Sequence, residues 1–150
     1  SSEEILASLK NIEGIDLKNF SNEKLLKIIS LMKERATFVK DIYEQGKFFF
    51  EAPKYYEEKA LKKAWNPAAA EVMSKLTNDL SETENFESET LKNVVHHFAE
   101  KENLGMGKVM MPLRLSLVGE LKGPDVPDIL EILGKEESVS RVKNAVNNIS

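Results

Sequence analysis

Apolar residues recur every three or four positions along most of this chain, the spacing of one face of an α-helix, and nowhere alternate with the two-residue period of a half-buried strand. Ile5, Leu6, Leu9 and Ile12 mark a first short helix that Gly14 stops. Ser21 is placed to cap a second, Phe20 and Leu25 to staple its start, and Leu25, Ile28, Ile29 and Met32 to form its stripe, predicting a helix over about residues 22–35. Phe38, Val39, Ile42 and Tyr43 continue the pattern to Gly46. The run Phe48-Phe49-Phe50 before Pro53 is expected in a core rather than as a ligand platform, because aromatic rings bury large areas.

A short helix is expected near Lys63, and Asn66-Pro67 is a strong start signal for the next, with Ala69, Val72, Met73, Leu76 and Leu80 on one face. The polar stretch 81–85 reads as turn or linker. Leu91, Val94, Val95, Phe98 and Ala99 follow on a further helix, which Gly105 and Gly107 close. Roughly residues 108–118 form the next, with Pro112 accommodated on the ground that first-turn amides lack intrahelical partners; Gly119 ends it. Asp125 is expected to cap a helix running to Leu133 and stopping at Gly134, before a last one carries Val139, Val142, Val146 and Ile149.

These elements predict an all-α protein of two packed helical subdomains, residues 1–65 and 66–150, with no internal repeat. A chain of 150 residues can bury such cores without disulfides or a structural metal. With 41% hydrophobic and 31% charged residues, and only 7 Gly and 5 Pro, the composition is that of a folded globular protein. Absence of cysteine excludes a disulfide framework, a thiolate metal site and a cysteine nucleophile, and suits a reducing cytosol. No stretch approaches the roughly 20 apolar residues of a spanning helix, so no membrane is expected as a partner. A net charge of −4 argues against non-specific binding to nucleic acid but leaves room for a local basic patch. The chain opens at Ser1-Ser2 without methionine and reads as part of something longer.

Candidate chemistry is sparse. The two histidines, His96 and His97, are adjacent, so on a helix they point about 100° apart; His97 and Glu100 make a single pair, and no metal site is expected. Nucleophile-elbow and phosphate-loop motifs are absent, and Gly105-Met106-Gly107 lacks the third glycine of a dinucleotide site. Glu82, Glu84, Glu87 and Glu89 read as solvated surface, and Met73-Ser74-Lys75 as part of a periodic helix. No catalytic residue is assigned. The segment 104–124 differs, because it gathers glycines, prolines and cations. Arg114 sits there amid apolar residues, where a guanidinium must pair with a carboxylate or face a ligand. Lys108, Arg114 and Lys122 could form a cationic rim, and the turn 119–125 offers backbone groups at a helix start. Taken alone, these residues leave a structural turn and an anion or RNA site both open.

That segment, followed by Ile129-Leu130-Glu131-Ile132-Leu133-Gly134-Lys135-Glu136-Glu137, resembles the end of bacterial glutamyl-tRNA synthetases, and the resemblance extends upstream through Gly46-Lys47-Phe48-Phe49-Phe50 and Leu31-Met32-Lys33-Glu34-Arg35. It implies a helical region that grips the anticodon loop of tRNA(Glu), while a separate amino-terminal catalytic domain uses ATP and magnesium to attach glutamate. By the same resemblance, Arg35 occupies the place of the arginine that reads the third anticodon base, a cytosine. Arg114 matches the arginine near the first anticodon bases, and Gly123, Pro124 and Val126 match the loop that contacts those bases. Gly123 supplies only backbone where some relatives have a hydroxyl. Lys108 and Lys122 are candidates for phosphate contacts. The motifs of the catalytic half are missing, so no cofactor is expected in this segment itself. A monomeric, cytoplasmic parent is implied. The rival reading is a non-catalytic helical protein-interaction module, which an acidic surface would suit.

Overall fold

The computed structural model describes residues 1–12 and 14–149, and among them every regular element is a helix. Contacts group the chain into two compact units, Ser1–Glu51 and Ala52–Ser150. The segment 52–65, placed with the first subdomain from sequence, thus packs with the second unit. The start signal at Asn66-Pro67 marks a helix and not a boundary between units.

In the first unit, α1 (Ser2–Lys10), α2 (Asn22–Met32), α3 (Val39–Gln45) and α4 (Lys47–Phe50) enclose one core. Ser21 caps α2 as predicted, its Oγ accepting from the Lys24 N–H at 3.1 Å. The helix ends at Met32, three residues before the expected limit near Arg35. Met32 is the last residue of the stripe with something to bury against, and Lys33, Glu34 and Arg35 are exposed in a turn. The Arg35 N–H donates to the Met32 carbonyl at 2.9 Å, a three-residue closure that ends the α pattern. Leu9, Leu25, Ile28, Ile29, Met32 and Phe49 form the buried centre. The phenylalanine run is core, as the sequence suggests: Phe48 and Phe49 are buried, and Phe50 packs edge-on against Phe20 and face-on against Tyr43, with centroids 5.3 and 5.4 Å apart.

The second unit holds α5 (Glu58–Ala64), α6 (Pro67–Glu82), α7 (Ser88–Lys101), α8 (Met106–Val118) and α9 (Val126–Asn148). Asn66 caps α6, its Oδ1 accepting from the Ala69 N–H at 2.7 Å. That helix runs on through Ser81 and Glu82, residues expected in a linker, until the Thr83 hydroxyl donates to the Asp79 carbonyl. At the start of α7 no cap comes from Glu87; the carboxylate of Glu131 on α9 accepts from the Ser88 N–H instead.

Helix α8 is apolar nearly all round, burying Val109, Leu113, Leu115, Leu117 and Val118, and packs against α5, α6, α7 and α9. That pattern belongs to a central helix. Because α8 begins at Met106, Pro112 is its seventh residue and lies beyond the first turn, contrary to the sequence-based rationale. Burial of Pro112 and its neighbours holds the helix together despite the missing N–H. Helix α9 breaks at Gly134, whose φ of 81° and ψ of 167° are non-helical, so its two segments correspond to the two final helices predicted. Asp125 occupies the cap position but makes no side-chain capping bond, a correction to its expected role.

Candidate nucleic-acid interface

The end of α8 is fixed by a glycine at which any side chain would be strained. Gly119 has φ +88°, and a Cβ there would lie 2.7 Å from the Tyr55 carbonyl oxygen and 2.9 Å from Pro53 Cβ. Its N–H donates to the Leu115 carbonyl, while its own carbonyl accepts from the Glu57 N–H, both at 2.8 Å. The segment around Tyr55 is thereby laid over the last turn of α8.

From Gly119 the chain turns toward α9 past exposed Lys122, half-exposed Gly123 at φ 124°, and buried Pro124 and Val126. Arg114, half-buried one turn before the helix end, donates from Nη1 to the Pro124 carbonyl at 2.7 Å. Arg114, Gly123, Pro124 and Val126 therefore meet in one place. One partner of that guanidinium is thus a backbone acceptor supplied by the turn itself. Pro124 and Val126 point into the unit and shape the turn, leaving the backbone at Gly123 and the ammonium of Lys122 on its outer side.

Lys108 does not join that rim. It stands near the opposite end of α8, eleven residues and so roughly 16 Å of helix rise from Gly119. There it lines, with Lys63, Asn66, Val72, Leu104 and Met111, an apolar groove of about 470 Å³. The α9 side of the turn is acidic: Asp128 has its carboxyl raised above the usual range, first by burial and then by the charges of Asp125 and Glu131, against a hydrogen bond from Ser88.

Arg35 belongs to the first unit, where it is exposed on the turn between α2 and α3. Phe38 closes the same loop, its N–H donating to Asp41 Oδ2 at 3.1 Å. His96 and His97 are both exposed, and His96, not His97, faces Glu100, at 3.6 Å. Among the described residues no cluster of three or more His, Asp or Glu could hold a metal ion, and no helix is long and apolar enough to cross a membrane.

Sequence reasoning missed Arg141. This residue is 3% exposed, donates from Nε to Glu137 at 2.7 Å, and from Nη1 to the Leu117 carbonyl at 2.9 Å. Burial lowers its pKa while Glu137 opposes the shift. It satisfies one of the last carbonyls of α8 and places a cation at that helix's negative end. An arginine among Val139, Val142 and Val146 was the available signal, the same one that drew notice at Arg114.

Residues 4–146 match the family described as anticodon binding domain. The glutamate–tRNA ligase of Flavobacterium johnsoniae is 45% identical over 135 residues, which are 89% of this chain and 27% of that protein. That of Christiangramia forsetii is 43% identical over 122 residues, 81% and 24% of the respective chains. Among solved structures, a glutamate–tRNA ligase from Elizabethkingia meningosepticum is 56% identical with a TM-score of 0.92, covering 100% of this chain and 30% of that one. A glutamate–tRNA synthetase from Elizabethkingia anophelis is 55% identical with a TM-score of 0.85, covering 99% and 29%. The chain thus spans about a quarter of the length of the curated relatives it matches. It belongs to the anticodon-binding domain family, in the form found in the C-terminal part of glutamate–tRNA ligases.

Proposed function

We propose that the chain reads the anticodon loop of tRNA(Glu) on behalf of a catalytic domain elsewhere in the same parent, a monomeric cytoplasmic enzyme that joins glutamate to tRNA with ATP and magnesium. The observation that carries this reading is the Arg114–Pro124 hydrogen bond, which sets a guanidinium beside an exposed turn in a member of the anticodon-binding family. Unpaired loop bases are read by splaying them out and bonding their Watson–Crick edges, and a guanidinium's fork of donors suits that task.

Arg114 and the backbone at Gly123 take the first anticodon bases, with Pro124 and Val126 holding the turn in shape. Arg35 takes the third and favours its cytosine. Lys122 meets the phosphates of the loop, and Lys108, at the far end of α8, reaches only a phosphate further along the strand. Each arginine contact contributes about 1–3 kcal/mol of discrimination, by analogy with base-edge contacts in DNA.

Titrating anticodon stem-loops of tRNA(Glu) and tRNA(Gln) into the chain, with amide shifts followed by NMR, tests the reading. Shifts at Arg35, Arg114 and Gly123 through Val126, larger for the Glu loop, are expected. Diffuse shifts identical for both loops would replace it with the protein-interaction module.

A further inference from the structure

The large hydrophobic side chains left exposed among the described residues are Phe38 and Tyr55, 70% and 86% exposed. Their neighbours in sequence are spent on cores. In the first unit Phe48 and Phe49 are buried, and Tyr43 and Phe50 stack on one another. In the second, Tyr56 packs on the cluster of Ala60, Ala64 and Leu115. Both exposed rings stand beside an arginine turn. Phe38 follows Arg35 by three residues, a reach of at most about 10 Å, on a loop closed by the Arg35–Met32 and Phe38–Asp41 hydrogen bonds. Tyr55 lies over Gly119, where its carbonyl bars any Cβ, at the start of the turn that Arg114 closes. Its backbone is held there by the Glu57–Gly119 bond two residues on.

An exposed ring anchored through its backbone next to a cation has the chemistry of a site for an unpaired base, because every base offers a π-face to the ring while its phosphate is drawn to the cation. Around Phe38 the cations Lys33, Arg35 and Lys40 outnumber Glu34 and Asp41, which favours RNA as the occupant; in the turn beneath Tyr55, Arg114 and Lys122 stand opposite Glu120, Asp125 and Asp128, so a phosphate there is drawn to those two cations alone. We propose that Phe38 and Tyr55 are base-stacking platforms, one in each unit, each holding an unpaired base of a bound RNA loop beside the neighbouring arginine. The proposal rests on the anticodon-loop reading above.

The test uses the whole 150-residue chain and the tRNA(Glu) anticodon stem-loop, with affinity taken from NMR titration. Phe38→Ala and Tyr55→Ala should each weaken binding by roughly fivefold to a hundredfold. Phe38→Leu should lose nearly as much, since it keeps the apolar bulk without the ring, whereas Phe38→Tyr and Tyr55→Phe should remain within about twofold of the parent chain. Thermal melts should be unmoved, because neither ring is buried. Arginine-dependent binding that both alanine variants leave unchanged would overturn the platforms and leave anticodon reading standing. Loss at one ring alone would overturn the assignment of the other. Absence of binding, or binding indifferent to Arg35→Ala and Arg114→Ala, would remove the reading and the platforms together.

Discussion

Arg35 in the first unit stands on an exposed turn shaped by a backbone bond to Met32, whereas Arg114 in the second rises from a central helix and donates to Pro124 in the turn it serves. Under the proposed reading one guanidinium is ordered only when RNA arrives; the other is held already by the Pro124 carbonyl. Fixing a long side chain costs up to about 2 kcal/mol, so the braced arginine gives more net affinity for the same contact. The exposed one can be altered without touching the fold. The proposed function therefore predicts that stability and recognition are separable at position 35 and joined at position 114.

The comparison breaks most severely through the residues that support the second turn. Arg141→Ala leaves the Leu117 carbonyl without its donor and empties a filled site, and should cost about 3 kcal/mol in chemical denaturation. Gly119→Ala forces a positive φ on alanine and drives its methyl group into the Tyr55 carbonyl, for a loss of about 2 kcal/mol in the same measurement. The direct test of separability pairs Arg114→Ala with Arg35→Ala. The former should lower stability by about 1 kcal/mol as well as RNA affinity, while the latter should leave the melt within about 0.5 kcal/mol and reduce affinity alone. Equal effects on the melt would erase the distinction.

The smallest effect sharpens the electrostatic side of the second turn. Asp128 has a raised pKa in the folded state, so its stabilising contribution is full below the unfolded carboxyl range and is lost as pH rises through the folded value. Near neutral pH the ionised group is a mild burden. Asp128→Asn should therefore raise stability at pH 7 by a few tenths of a kcal/mol at most, the half-exposed site being screened, and the gain should vanish in melts below about pH 4.

Much of the fold was legible in the spacing of apolar residues. Ser21, Asn66 and Gly119 announced their helix ends because capping and left-handed closure are local chemistry. What escaped depended on partners distant in sequence. Pro112 was misplaced because α8 starts at Met106, two residues before the start expected from sequence, and α2 ended early because Lys33 to Arg35 are exposed. The grouping of Lys108 with Arg114 and Lys122 took nearness in sequence for nearness in space. Arg141 meets a carbonyl 24 residues away, a pairing no local pattern encodes. Arg35 was marked by family resemblance alone, as an exposed arginine on a turn has no distinguishing physics until its loop is seen.

The hydrogen bond from Arg114 to Pro124 also bears on how such a module can change over generations. If Arg35 reads RNA as proposed, a single substitution at this exposed position can relax or tighten that choice while the fold is kept. At position 114 a replacement also removes a hydrogen bond that braces the turn, so a new preference there is expected to arrive with a second change that supports Pro124 by other means. Divergence in RNA choice should therefore pass first through the unbraced arginine, and comparison of variants at the two positions would show paired changes only at the braced one.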